Sequence, residues 1–270
     1  MQIQDQDFIK LCAYVKKNFG VNLEKKRTLI EGRLTAQIKQ SGFDNFSAFL
    51  EDVYADKTGK KINAMMTKLT TNYTYFMREE AHYKFMTETA LPYWKKTLQS
   101  KDLRIWSAGC ASGEEPYTTA MVLNEWFGRE KAAWDTTVLA TDISLRVLDM
   151  ANKGIYPEES FEKLNPAWKA KYFTPTGTGE YKVNPSLAKE VKFAQFNLMD
   201  DFSRFKKKFH IIFCRNVMIY FDAPTKRALV KKYHDALEVG GWLFIGLSET
   251  LTGINEDFKQ VAPSIYCRVK

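Results

Sequence analysis

The residues best suited to chemistry cluster in SAGCASGEEPYT, residues 107 to 118. Gly109, Ala111 and Gly113 permit a tight turn and let a ligand approach the backbone closely. A phosphate loop of the Walker type would carry G-K-[ST], which is absent. Glu114 and Glu115 would repel a pyrophosphate at the start of the following helix. The loop therefore argues for a cationic ligand. Asp142, in ATDIS, ends the next strand-like run, where a carboxylate can accept hydrogen bonds from both hydroxyls of a ribose. Structural alternatives stay open. Ser112-x-x-Glu115 fits a capping box with Pro116 in the first turn, and Asp142 could cap a helix, although Ser144 serves that better. A positive ligand with a ribose and no phosphates is a short list headed by S-adenosylmethionine, with its sulfonium and ammonium groups.

These residues need a scaffold, and the chain supplies alternating elements from Asp102 onward. LRIWSA, TTVLATDI, HIIFCRNV and GGWLFIGLSE read as strands, and EEPYTTAMVLNEWF, SLRVLDMANKG and TKRALVKKYHDALEVG as helices. Such alternation predicts an α/β domain with a mostly parallel, doubly wound sheet. The tail FKQVAPSIYCRVK reads as one more strand at the sheet's end. Between Lys153 and Asn197 the rhythm breaks, which predicts an inserted antiparallel β-subdomain, at about 172–195. Residues 1 to 90 read as helices: Ile30, Leu34 and Ile38 form one apolar stripe, and Gly20 stops the first helix. The expected division is a helical domain over 1–90 and a ligand-binding domain over 91–270.

Bulk properties bound the function. With 270 residues, 45% hydrophobic and 27% charged, the chain can bury a substantial core. No apolar run approaches the roughly 18 residues of a membrane span, and MQIQDQDFIK lacks the features of an export signal, so a cytoplasmic protein is expected. Cys12, Cys110, Cys214 and Cys267 are too dispersed to hold zinc, and His82, His210 and His234 are equally scattered, so no metal site is expected. A net charge of +8 suits an acidic partner. Seven Lys/Arg against two Glu lie between Lys16 and Lys39, a pattern that a solvated helix face also produces.

SAGCASGEEPYT, ATDIS, FCRNVMIYF and GGWLFIGLSE, in that order, resemble the CheR family of chemotaxis receptor methyltransferases. TNYTYFMRE, residues 71 to 79, resembles the family's other signature segment, with Met77 in place of its usual second phenylalanine. The resemblance spans nearly the whole chain. It implies a Rossmann-like class I methyltransferase fold that moves a methyl group from S-adenosylmethionine to glutamate side chains of membrane chemoreceptors, leaving S-adenosylhomocysteine. It places Asn72, Thr74 and Arg78 over the cofactor, with Arg78 near the reacting methyl. Gly109, Glu115, Asp142, Arg215 and Asn216 join the cofactor site, Asn197 and Leu198 take the adenine position, and the Tyr220 hydroxyl is aimed at the reacting atoms. Each has a plainer alternative as a helix end, loop or core residue. The partner implied is the acidic helical bundle of a receptor's cytoplasmic region, docked on the basic stretch from Lys16 to Arg33. The β-subdomain could add a strand to a receptor's C-terminal peptide. A monomer is the default expectation. The rival readings are an S-adenosylmethionine-dependent methyltransferase acting on nucleic acid or another protein, and a non-catalytic binding module that senses the cofactor or docks a partner. Amine-methylating enzymes carry N-P-P-Y where this chain has NVMIY, so no nucleic-acid partner is expected.

Overall fold

The computed structural model describes residues 1–254 and 257–270. The chain begins with four helices, α1 (Asp5–Phe19), α2 (Arg27–Gln40), α3 (Phe46–Ala55) and α4 (Lys60–Leu69). The predicted stripe of α2 is buried in full: Ile30, Leu34 and Ile38 have no exposure. Each such side chain contributes roughly 1.5–3 kcal/mol when removed from water. Gly20 ends α1 in the left-handed conformation (φ 73), its N–H donating to Lys16 O. A non-glycine residue would be doubly unwelcome there, because a Cβ would lie 2.7 Å from Met199 Sδ.

After an extended segment, helix resumes as α5 (Glu80–Phe85), a π turn (Met86–Ala90) and α6 (Leu91–Thr97). The expected division at residue 90 falls inside this rod. Its residues Tyr83, Met86, Leu91 and Trp94 pack with the sheet's core rather than with the first four helices, so the structural break comes earlier, in the extended segment before residue 80.

The main sheet uses β1 (Ile105–Ala108), β2 (Val138–Asp142), β6 (Val191–Gln195), β7 (Phe209–Cys214), β8 (Leu237–Ile245), β9 (Phe258–Ala262) and β10 (Ile265–Arg268). Their order is β6-β2-β1-β7-β8-β10-β9. The first five are parallel, while β10 runs antiparallel to both β8 and β9. The tail expected as one strand is thus a hairpin, folded at Pro263-Ser264 with Ser264 at φ 59. Helices α7 (Glu114–Phe127), α8 (Leu145–Lys153) and α11 (Ala223–Ala236) make the crossovers.

The inserted subdomain is a three-stranded antiparallel sheet, β3-β5-β4, from β3 (Ile155–Pro157), β4 (Phe173–Pro175) and β5 (Glu180–Val183), with short helices α9 (Pro166–Tyr172) and α10 (Pro185–Ala188). The expected range of 172–195 needs correction at both ends. It omits β3, which is too short to show periodicity, and it includes β6, which pairs parallel with β2. As an edge strand with one wet face, β6 alternates in polarity and reads like part of a hairpin.

Two cores lie on opposite faces of the sheet. Trp106, Ile212 and Leu243 pack with α11 and the N-terminal helices. Ile105, Ile211 and Phe244 pack with α5, α6, α7 and the β-subdomain. The carboxyl ends of β1, β2 and β7 therefore open between the helical unit and the sheet.

Candidate active site

The turn after β1 is shaped for close approach. Gly109 adopts φ 92, and a Cβ there would meet Val217 Cγ2 at 2.5 Å. Ala111 holds φ 47, and its N–H donates to Asp142 Oδ2 at 3.0 Å. The other Asp142 oxygen accepts from Ser144 N at 2.9 Å. Burial raises the Asp142 pKa, against the opposing N–H groups of Ser144, Ala111 and Ile143. Ser144 precedes α8 as expected but makes no side-chain cap; its hydroxyl bonds Thr67 Oγ1 of α4 at 2.7 Å. The capping box is also absent. Gly113 is the N-cap residue of α7, Ser112 Oγ donates to Glu114 Oε2, and Ser107 Oγ donates to Glu115 Oε1.

The adjacent carboxylates have separate fates. Glu114 turns into the protein, 4% exposed, and burial pushes its pKa up to about 7 against the Ser112 hydrogen bond. Glu115 faces the cleft. Its Oε2 meets Arg215 Nη1 at 3.1 Å, and Arg215 Nε meets Glu79 Oε2 at 3.0 Å. The same guanidinium donates to Tyr83 Oη and to the carbonyl of Arg78. Burial works against the charge of Arg215, but Tyr83, Glu115 and Glu79 more than offset it. Burial likewise raises Glu115, with Arg215 and Ser107 pulling the other way. For Glu79 burial is outweighed, chiefly by Arg215, and its pKa is lowered.

The segment from Thr70 to Arg78 closes one side of the cleft. Asn72, Thr74 and Arg78 line it together with Gly109, Glu115, Asp142, Asn197, Leu198, Arg215, Asn216 and Tyr220, so every sequence-predicted residue meets at one place. Their availability differs. Arg78 Nη1 donates to Tyr73 O at 2.7 Å. Asn197 Nδ2 donates to Asn18 O, and its Oδ1 accepts from Met199 N, so its amide ties the loop after β6 to α1. Asn216 stands at φ 60 with its Nδ2 3.5 Å from Glu79 Oε1. Tyr220 closes a 3₁₀ turn, Met218–Tyr220, instead of starting an α-helix. The helical unit forms part of the wall through Phe19, Val21 and Met66.

The family model described as CheR methyltransferase, SAM binding domain, matches residues 72–267, and that of the CheR methyltransferase all-alpha domain matches residues 6–70. The chain belongs to the CheR methyltransferase family. It is 41% identical to a chemotaxis protein methyltransferase of Borreliella burgdorferi, over 98% of this chain and 95% of the relative. It is 31% identical to the chemotaxis protein methyltransferase of Escherichia coli, over 100% of this chain and 93% of the relative. Among solved structures, an rRNA methylase from Streptococcus thermophilus overlaps 70% of this chain and 95% of its own, with 12% identity and a TM-score of 0.37.

The cofactor of this CheR-family enzyme is S-adenosylmethionine, and the cleft suits it. Glu115 and Asp142 bring carboxylates to the cleft wall, groups whose chemistry would fit an ammonium and a ribose. Phe19, Val21, Phe196 and Leu198 bring apolar surface to the same cleft, which would fit a flat ring. Met77, the departure from the family pattern, packs against the core, and its N–H donates to Thr118 Oγ1. Among the described residues, no group of acidic, histidine or cysteine side chains could hold a metal, and no helix could cross a membrane.

Part of the expected basic docking face is engaged within the chain. Lys16 pairs with Asp222 at 2.7 Å and Arg27 with Asp5 at 2.6 Å. Arg33 donates to the carbonyls of Lys68, Leu69 and Thr70 and to Thr71 Oγ1. These charges serve the fold. Lys17, Lys25, Lys26 and Lys39 remain exposed. Sequence reasoning also missed Glu79, Tyr83 and Ser107. For Glu79 a signal existed: a carboxylate directly after Arg78 in a segment already singled out.

Proposed function

We propose that this enzyme methylates glutamate side chains of chemoreceptors to methyl esters, and that Arg78 and Tyr220 act at the reacting atoms. The observation that carries this reading is that no free base lines the cleft among the described residues. No histidine lines the cleft. His82 and His210 are buried, and burial lowers the pKa of each to about 4. Arg215 holds Glu79 and Glu115, and two backbone N–H groups hold Asp142. An amine or hydroxyl acceptor would need deprotonation, whereas a glutamate is already ionised at neutral pH.

When bound, S-adenosylmethionine supplies an electrophilic methyl on a positive sulfur. The residues around it have only to orient the acceptor and exclude water. Arg78 can swing from the Tyr73 carbonyl to orient the acceptor carboxylate through paired hydrogen bonds. The Tyr220 hydroxyl has no hydrogen-bond partner among the described residues and is available to a reacting oxygen.

The acidic receptor bundle would be steered by exposed Lys17, Lys25, Lys26 and Lys39, a contribution that fades with salt. The three-stranded sheet leaves β3 and β4 as edges to which a peptide strand can add.

The test combines calorimetric binding of S-adenosylhomocysteine with methyl transfer to a receptor cytoplasmic fragment. Tyr220→Phe should lower kcat by roughly tenfold or more with product affinity within about threefold. Arg78→Ala should lower kcat/KM by about 100-fold, near 2.7 kcal/mol. Full activity in both variants would end this reading.

A further inference from the structure

Glu249 lies in the turn after β8, outside the cleft, and nothing above uses it. It is 9% exposed, yet both its oxygens are committed to backbone donors. Oε2 accepts from Gly246 N at 2.6 Å and Asn216 N at 3.0 Å, and Oε1 accepts from Ile219 N at 3.0 Å. Asn216 and Ile219 belong to the loop after β7, which brings Asn216 and Tyr220 to the cleft.

That loop is held in an unusual shape. Asn216 sits in the left-handed region, which side-chain-bearing residues rarely adopt. The turn after β8 presses against it so closely that a Cβ on Gly246 would lie 2.4 Å from Asn216 Nδ2 and 2.9 Å from its backbone N. Glu79 Oε1 accepts from Leu247 N of the same turn and approaches Asn216 Nδ2. Burial raises the pKa of Glu249, and the N–H groups of Gly246, Asn216, Ile219 and Met218 pull it back. A buried carboxylate is costly where an apolar side chain could fill the space. What it uniquely supplies is two acceptor oxygens at a fixed separation, which register one loop against another.

We infer that Glu249 is a positioning residue for methyl transfer: by accepting the Asn216 and Ile219 N–H groups it sets how Tyr220 faces the cleft. This rests on the reading of Tyr220 given above. Ile219 immediately precedes Tyr220, so a slip of its N–H re-aims the phenol. Asp142 ends β2 and Glu115 opens α7, so neither rides on the loop after β7 that Glu249 holds.

The experiment is a double-mutant cycle in the full-length protein with Glu249→Gln and Tyr220→Phe. It reads methyl transfer to a receptor cytoplasmic fragment, S-adenosylhomocysteine affinity and thermal unfolding. The Gln amide keeps the side chain's size but turns a donor toward backbone donors. Glu249→Gln is expected to lower kcat about tenfold, with product affinity and receptor KM within about threefold. In the Tyr220→Phe background its effect should shrink to less than about twofold, since residues acting as a unit are not additive. If Glu249→Gln does not stay folded, Glu249→Asp takes its place, keeping the charge but withdrawing it by one methylene. Unchanged kcat, losses that multiply in the double variant, or an equal loss of product affinity would each overturn the inference and leave Tyr220 its role. Full activity in Tyr220→Phe would overturn both readings.

Discussion

Glu114 and Glu115 are neighbours in one motif, yet about 100° of helical rotation sends one inward and the other to the cleft. Glu114 is the more costly. Burial raises its pKa from 4.5 to about 7, so the folded protein keeps a proton that the unfolded chain releases near pH 4.5. Between those values the folded state binds more protons, and stability falls as pH rises, by on the order of 3 kcal/mol above pH 7. Glu114→Gln should therefore raise Tm at pH 8, with the gain shrinking below pH 5, and leave S-adenosylhomocysteine binding unchanged. Thermal unfolding across that range checks it; an equal gain at both ends, or lost binding, would refute the assignment. The pair itself was legible because two carboxylates without a lysine contradict a phosphate site. Their split was not legible. Neither was the locking of Arg215, whose partners Glu115 and Glu79 lie 100 and 136 residues away.

Elements with a strong period and a clear stop were readable: α1 with Gly20, α2 with its buried stripe, α7 after its glycine turn. Short or one-sided elements were not. β3 has three residues, β6 alternates because it is an edge, and the π turn inside the 80–97 rod has no polarity pattern of its own. Coupling between elements was likewise hidden. Arg33 of α2 caps the last carbonyls of α4 and grips Thr71, at the start of the segment that carries Asn72, Thr74 and Arg78. A cation at a helix C-terminus is favourable, and charge-assisted bonds there are strong. Arg33→Met keeps much of the stem and removes every donor. It should destabilise the protein by about 1–2 kcal/mol and weaken S-adenosylhomocysteine binding several-fold. Hydrogen exchange should accelerate across 70–79 while α11 stays protected. Unchanged exchange in that segment would show that Arg33 does not hold it.

Over the whole molecule, the helical unit and the sheet unit behave as one body. One core joins Leu11, Ile30 and Met65 to Trp106, Ile212 and Leu243. Polar ties reinforce it where the cleft opens: Asn197 to Asn18, Lys16 to Asp222, Asn22 N to Tyr220 O, Thr67 to Ser144. Two family models divide at residues 70 and 72, yet the cleft takes wall residues from both sides of that line. Removing residues 1–70 would strip Phe19, Val21 and Met66 from the cleft and expose one face of the sheet to water. The sheet unit alone should then aggregate or bind S-adenosylhomocysteine at least tenfold more weakly. The intact chain should unfold in a single calorimetric transition, with van't Hoff and calorimetric enthalpies agreeing. S-adenosylhomocysteine at about 100 times its Kd should move that whole transition upward, by about 2.7 kcal/mol of added stability. Two resolved transitions, with ligand shifting only the second, would mean that the helical unit is an independent docking module and contributes nothing to the cofactor site.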